Sequence, residues 1–186
     1  EEQRNSSQEL MQVRNMLLQS ITELLGKNSV RYDYWLSVSQ AYRSIADDEK
    51  STSLYTLAVQ SAQNALSVNQ YSIDGNYLYV DVLLRLGNSA DINDKIKSKI
   101  AVLKQLVGTP YQIQFIDGVM LAREQNYDAS IKAFEAIKKE ATESKTLTTD
   151  ESKQIVELAD KRIEEVVKLK GSATPTKPAP TVTPKV

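Results

Sequence analysis

Three arginines are the side chains of this 186-residue sequence best suited to binding chemistry, because they recur at nearly regular intervals. Arg43, Arg85 and Arg123 are separated by 42 and 38 residues. A planar guanidinium donates two parallel hydrogen bonds to a carboxylate, so a row of three predicts recognition of an acidic segment or a peptide C-terminus. The alternative interpretation is that the arginines pair on a solvated face with nearby carboxylates, namely those of Asp33, Asp81 or Glu124.

Aromatic side chains form a second candidate feature. They concentrate in the first half of the chain, at Tyr32, Tyr34, Trp35, Tyr42, Tyr77 and Tyr79. Aromatic rings provide good contact surfaces for sugars and peptides, but rings at helical spacing also pack in cores. Both interpretations are open at this point.

Composition excludes several classes of chemistry. The chain has no His and no Cys, and 23 basic against 24 acidic residues give it a net charge of −1. Triads built on His or Cys and ordinary zinc or iron–sulfur sites are therefore excluded. Asp91-x-Asn93 lacks the Gly and the closing Glu of a calcium loop, and no Gly-rich phosphate loop occurs. The near-neutral charge argues against a nucleic-acid partner. We expect no enzyme activity, no cofactor and no metal.

Hydrophobic spacing predicts helices almost throughout. Apolar residues recur at three- and four-residue steps, with a polar break at 47–50, and the pattern indicates eight helices joined by short links. Four glycines follow the apolar stripes and are predicted to end helices, at positions 26, 87, 108 and 171. The sequence therefore predicts an all-α fold of antiparallel helices.

Two helix starts carry specific signals. Thr109-Pro110 predicts a cap followed by proline at the first helical position. Thr148 and Glu151 have the spacing of a capping box, which predicts the start of the last helix.

The two ends of the chain differ from its middle. Residues 172–186 hold four of the five prolines, mixed with Thr, Lys and Ala, which predicts an extended, disordered tail. The chain opens on Glu1-Glu2 and indicates a processed form or a fragment. No run approaches the roughly 20 apolar residues of a membrane span, so this chain itself is not expected to cross a bilayer.

The predicted helices form pairs, and two segments of the chain resemble tetratricopeptide repeats. Tyr127, Ser130, Ile131 and Phe134 fall at the spacing of the centre of such a repeat, and Gly118 falls at the small position where its paired helices approach. An earlier copy, Trp35 to Tyr42, matches the W-x2-L-G-x2-Y start, with Val38 and Ser39 replacing the Leu and Gly. Ala58, Ala62 and Ala65 match its second helix.

The resemblance covers roughly residues 30–140 and implies a right-handed α-solenoid of helical hairpins. Tyr42 and Ala58 are 16 residues apart where the family has nine, which indicates a lengthened first hairpin, and a middle copy at about 72–109 is weaker. The implied organisation is a half-repeat at 1–28, repeats at 29–145, a capping helix at 146–171 and the tail at 172–186.

Members of this family usually bind peptides on the concave face formed by their first helices. The resemblance therefore implies a scaffold that binds a protein or peptide through that face, without the Lys/Asn carboxylate clamp of the chaperone-binding members. The face would hold Asp33, Leu36, Gln40, Arg43, Asp74, Tyr77, Asp81, Arg85, Phe115, Val119 and Arg123.

The organisation of the whole chain also resembles the soluble C-terminal region of some bacterial O-antigen ligase-like membrane proteins. Arg31 to Trp35 and the proline-rich tail carry this likeness. It implies an alternative function, the extracytoplasmic domain of a membrane ligase or polymerase, tethered through a part outside this chain, and it favours an extracytoplasmic location. A further alternative is a structural spacer or assembly subunit.

Overall fold

A computed structural model describes residues 31–172 together with residues 12, 16, 19–21 and 23. The fold is all-α, and the described residues contain no strand. Seven helices have described ends, and helical residues at the described positions between 12 and 23 precede them. The predicted all-α class with about eight helices is confirmed. The predicted tail lies outside the described residues from position 173 onward, as does Gly26.

The helices with described ends follow one another with short links. They are α1 (Tyr32–Glu49), α2 (Thr52–Val68), α3 (Ile73–Leu86), α4 (Ala90–Val107), α5 (Tyr111–Arg123), α6 (Tyr127–Glu143) and α7 (Thr149–Ser172). The chain divides into two compact units, one ending at Gly108 and the other starting at Thr109.

Serine side chains cap three helices of the first unit. The hydroxyl oxygens of Ser51, Ser72 and Ser89 accept hydrogen bonds from backbone N–H groups at the starts of α2, α3 and α4. Each cap satisfies a donor that the first turn of a helix leaves without a partner. Short polar links therefore define where these helices begin.

Some predicted boundaries were wrong. The polar segment at 47–50 does not break the first helix, because α1 continues to Glu49 and turns at Lys50, whose φ of 53° is left-handed. Pro110 is the cap of α5 rather than its first helical residue. Gly171 lies within α7, which continues to Ser172. Gly87 and Gly108 do follow α3 and α4, as predicted.

The core of the first unit lies between α1, α2 and α3. Small residues let α1 and α2 approach closely, since Ala46, Ala58, Ala62 and Ala65 have no exposed surface. Ser39 on α1 is fully buried and donates to the backbone oxygen of Ala58 on α2 at 2.8 Å. Larger side chains complete this cluster, including Ile21, Val38, Tyr42, Tyr55, Leu78 and Val82. Each large apolar side chain buried in this way stabilises the fold by about 1.5–3 kcal/mol.

The second unit is an antiparallel arrangement of α5, α6 and α7 around Phe134, which is fully buried. Gly118 on α5 lies against this ring, and Ser130 on α6 donates to the Gly118 oxygen at 2.7 Å. The predicted close approach at Gly118 is confirmed. The capping box is also present, since Thr148 N donates to Glu151 at 2.8 Å and Glu151 N donates to Thr148 Oγ1 at 3.3 Å.

Candidate functional site

Two arginines and two aspartates form a hydrogen-bonded network between α1 and α3. Arg43 Nη1 donates to Asp81 Oδ2 at 2.7 Å, and Arg85 Nη1 donates to Asp47 Oδ1 at 2.9 Å. Arg85 Nε also contacts both carboxylate oxygens of Asp81 at 3.3 Å. Tyr55 on α2 donates its hydroxyl to Asp47 Oδ1 at 2.6 Å. We call these five side chains the Arg/Asp network.

The register of α1 against α3 explains this network. Arg43 pairs with Asp81, and Asp47 pairs with Arg85, so both ion pairs join residues that are 38 positions apart. The Tyr32 hydroxyl also contacts Ser72 Oγ near the starts of the same two helices. Successive contacts therefore advance together along both helices, which means that α1 and α3 run parallel. Parallel first helices with a constant offset are typical of consecutive helical hairpins.

In the fold, Arg43 and Arg85 are not neighbours in a row of like charges. Arg43 and Arg85 are 42 residues apart, whereas the register between their helices is 38 residues, and the difference of four is about one helical turn. Each arginine therefore faces an aspartate, and both converge on Asp81. The alternative prediction of ion pairing with Asp81 is confirmed for these two arginines. Asp33 pairs instead with Arg31 at 2.6 Å.

The network is neutral as a whole and only partly exposed. Its charged side chains retain between 29% and 40% of their surface, which is enough for solvent to weaken each ion pair. Burial acts to lower the pKa of Arg85, but the hydrogen bond and charge of Asp81 outweigh it, so its pKa lies above the ordinary value. The hydrogen bond to Asp47 raises the pKa of Tyr55. Both shifts favour the protonated forms of Arg85 and Tyr55, which are the forms that donate these hydrogen bonds.

The remaining predicted residues of the first unit lie around this network with different exposures. Leu36 is half-buried and packs against the core of the unit, whereas Gln40 is exposed. Tyr77 lies one turn before Asp81 on α3 and is half-buried, and burial raises the pKa of its hydroxyl. These three side chains, with Arg43 and Asp81, form what we call the α1/α3 face.

The predicted residues of the second unit have other surroundings. Phe115 and Val119 are half-buried and pack against the cluster around Phe134, with the rings of Phe115 and Phe134 5.8 Å apart. Arg123 is half-buried, and burial lowers its pKa. These three residues lie in the second unit, whereas the Arg/Asp network lies in the first.

The aromatic residues divide between packing and partial exposure. Tyr42 and Tyr79 are only 7% and 4% exposed, so packing accounts for them. Tyr34 and Trp35 are half-buried near the start of α1, and the Arg31 guanidinium lies 5.0 Å from the centre of the Tyr34 ring. The predicted aromatic residues that have accessible surface for a ligand are therefore those at the start of α1 and Tyr77.

Sequence reasoning missed Asp47 and Tyr55. Asp47 was assigned to a solvated polar break, yet it accepts hydrogen bonds from two neighbouring helices. A signal was present, because Asp47 follows Arg43 by four residues and therefore shares its face once the helix continues. No comparable signal marked Tyr55, whose hydroxyl finds Asp47 only through the packing of α2 on α1.

Within the described part of the chain, no group of three or more acidic side chains is placed to hold a metal ion. None of the described helices is both long enough and apolar enough to cross a membrane. No protein-family model matches the chain, and a search of curated proteins finds no match either. The tetratricopeptide assignment therefore stays a prediction.

Proposed function

We propose that this chain is a scaffold of tetratricopeptide-like helical hairpins, stacked as a right-handed solenoid, that binds a protein or peptide segment on its α1/α3 face. The observation that carries the proposal is the parallel register of α1 and α3, with the Arg/Asp network fixed between them. Two parallel first helices side by side create a continuous strip on which an extended segment can lie.

The contacts available on that strip indicate the kind of recognition. Arg43 and Asp81 are paired with each other, so their charges are already satisfied without a ligand. Gln40 offers exposed amide groups, while Tyr77 and Leu36 offer half-buried apolar surface. We therefore propose that the segment is held mainly by hydrogen bonds and by contact with Tyr77, rather than by a row of unpaired arginines.

The network also supports the proposal through rigidity. Side chains that are ordered before binding lose less conformational entropy when a ligand arrives. Because Arg85 bridges Asp47 on α1 and Asp81 on α3, it holds the two sides of the strip at a fixed spacing. A ligand would therefore meet a surface that is largely formed in advance.

A random peptide library displayed on phage tests this proposal with the full chain as bait. Peptides selected on the wild-type chain should bind Tyr77→Ala and Gln40→Ala variants at least about tenfold more weakly. Leu57→Ala is the matched control, because Leu57 is 38% exposed on α2, away from this face. If no peptide is selected, or if the control loses as much affinity as the two face variants, the proposal is wrong.

The salt dependence of peptide binding distinguishes recognition by this face from recognition by a row of unpaired arginines. Binding to a neutral face should change little between low and physiological ionic strength, whereas gripping of carboxylates by unpaired arginines would weaken markedly. Reversal of Arg43 and Arg85 to Glu is a poor test of binding, because it would place Glu beside Asp81 and Asp47 and destabilise the face itself. The membrane ligase or polymerase domain and the structural spacer stay predictions.

A further inference from the structure

Helix α7 carries a second surface feature that the α1/α3 face does not involve. Leu158 and Leu169 are 43% and 52% exposed, although both are large apolar residues. They are eleven residues apart, which is close to three whole helical turns, so they lie on the same side of the helix. Ala159 and Val166, by contrast, are buried against the Phe134 cluster.

The positions between these leucines continue the same line. Alternating steps of four and three residues connect Leu158, Arg162, Glu165 and Leu169. This is the spacing of the seam along which two helices pack in a coiled coil. Arg162 and Glu165 lie at its centre, where Arg162 Nη1 donates to Glu165 Oε2 at 2.6 Å within the helix. Their side chains are nevertheless 43% and 41% exposed, so both charges are also accessible to a second copy. We call this line the α7 seam.

The α7 seam is complementary to itself when a second copy runs antiparallel. With the two-fold axis between Ile163 and Glu164, Leu158 of one copy lies opposite Leu169 of the other. In the same arrangement Arg162 lies opposite Glu165, so each apolar residue meets an apolar one and each charge meets its opposite. A parallel, in-register pair would instead place Arg162 against Arg162 and Glu165 against Glu165, which is unfavourable.

We propose that the α7 seam is an isologous interface through which two copies of this chain associate antiparallel. The leucines supply apolar contact near both ends of the seam, and the two crossed Arg162–Glu165 pairs select the orientation. Polar residues at seam positions lower the stability of a helix pair while fixing its register. The dimer is therefore expected to be weak and in concentration-dependent exchange with monomer.

Sedimentation equilibrium of the full chain tests this inference. The apparent mass of the wild type should rise from 20.8 kDa toward twice that value as its concentration increases from low micromolar to about 1 mM. Leu158→Glu and Leu169→Glu should each raise the dissociation constant by at least about tenfold. Val167→Glu is the matched control, because Val167 is 51% exposed on α7 but lies off the seam.

Charge exchange tests the antiparallel pairing more specifically. Arg162→Glu alone should weaken the dimer, because it places two carboxylates opposite each other. Adding Glu165→Arg should restore the wild-type dissociation constant, since the crossed pairs re-form with exchanged signs. Far-UV circular dichroism should show the same helicity for all variants, because every substituted side chain is substantially exposed.

The orientation can be read by cross-linking, because the chain has no cysteine of its own. A mixture of Leu158→Cys and Leu169→Cys chains should form mixed disulfide dimers, while Leu158→Cys alone should not cross-link. A wild type that stays monomeric throughout, or a dimer that tolerates both leucine changes, would overturn the proposal. Efficient cross-linking of Leu158→Cys with itself would overturn the antiparallel arrangement.

Discussion

Arg43 Nη1 lies 2.7 Å from Asp81 Oδ2, and this ion pair joins α1 to α3 across 38 residues of sequence. The second pair, Arg85 with Asp47, repeats the same offset with the charges exchanged between the helices. Because Arg85 Nε also contacts Asp81, the two pairs are linked and the four charges form one network. That network lies between the two parallel helices that form the proposed binding face.

A double-mutant cycle with Arg43→Gln and Asp81→Asn measures the contribution of this pair to stability. We expect a coupling of about 0.5–1 kcal/mol, since both side chains keep about a third of their surface in solvent. Urea unfolding of the four proteins provides the free energies. The matched control is the exposed Lys95–Asp91 pair within α4, whose coupling should be smaller. Equal couplings in the two cycles would contradict a special role for the network.

Gly118 is expected to resist substitution by alanine. A Cβ atom there would lie 2.7 Å from two ring atoms of Phe134, which is fully buried and cannot move without disturbing the core. Gly118→Ala should therefore destabilise the fold by about 1–3 kcal/mol, despite the better helix propensity of Ala. Chemical unfolding compared with wild type measures the change.

Gly171→Ala serves as the control for this substitution. A Cβ at Gly171 meets no atom within 4 Å, and the residue lies in the last turn of α7. Alanine there should be neutral or stabilising by up to about 1 kcal/mol. Adding Phe134→Leu should make Gly118→Ala less costly than it is beside Phe134, because the smaller side chain relieves the overlap. Similar stability for the two alanine variants would disprove the close-approach argument.

Asp128 is expected to titrate below the ordinary carboxyl range. The hydrogen bond and charge of Lys170 lower its pKa from 3.8, with a smaller contribution from Lys132. A lowered carboxyl pKa means that the interaction stabilises the fold above the unfolded-state pKa and is lost as the pH falls through the folded-state pKa. NMR titration of the Asp128 carboxyl carbon measures the midpoint directly.

The two lysines near Asp128 allow a matched comparison. Lys170→Gln should raise the Asp128 midpoint toward 3.8, because it removes the hydrogen-bonded charge that links α6 to α7. Lys132→Gln should raise it less. A larger effect of Lys132→Gln would show that the contact between α6 and α7 is not the main cause.

The capping box at the start of α7 should be measurable as a contribution to stability. Thr148→Ala removes the hydroxyl that accepts from Glu151 N, so the fold should lose about 1 kcal/mol. Thr148→Ser keeps this acceptor and should remain within a few tenths of a kcal/mol of wild type. Thermal unfolding followed by circular dichroism distinguishes the two variants. Equal loss in both would mean that the methyl group, rather than the cap, stabilises this start.

Much of the local structure followed from the sequence. Apolar spacing predicted the helices, and the Thr148 and Glu151 pattern predicted the start of α7. Both features depend on residues within a few turns of each other, where helical geometry fixes the distances. A sequence pattern is therefore sufficient to identify them. The close approach at Gly118 was instead predicted from the resemblance to tetratricopeptide repeats.

The candidate site depended on information that the sequence pattern does not contain. An interval of 42 residues between Arg43 and Arg85 indicated a row of like charges, whereas packing sets α1 against α3 with an offset of 38. Because of this difference of one helical turn, Arg43 lies opposite Asp81 rather than opposite Arg85, and Arg85 lies opposite Asp47. The contact between Asp47 and Tyr55 also depends on packing, because only the packing of the helices brings these two residues together.

By itself, the sequence determined an all-α chain of short-linked helices without His or Cys chemistry, because composition and helical periodicity are local properties. Only the tertiary structure decided which charges meet, that Phe115 and Val119 pack against the Phe134 cluster, and that the chain divides between Gly108 and Thr109. The physical reason is that relative helix positions follow from the fit of whole side-chain surfaces, in which a shift of one turn changes every contact.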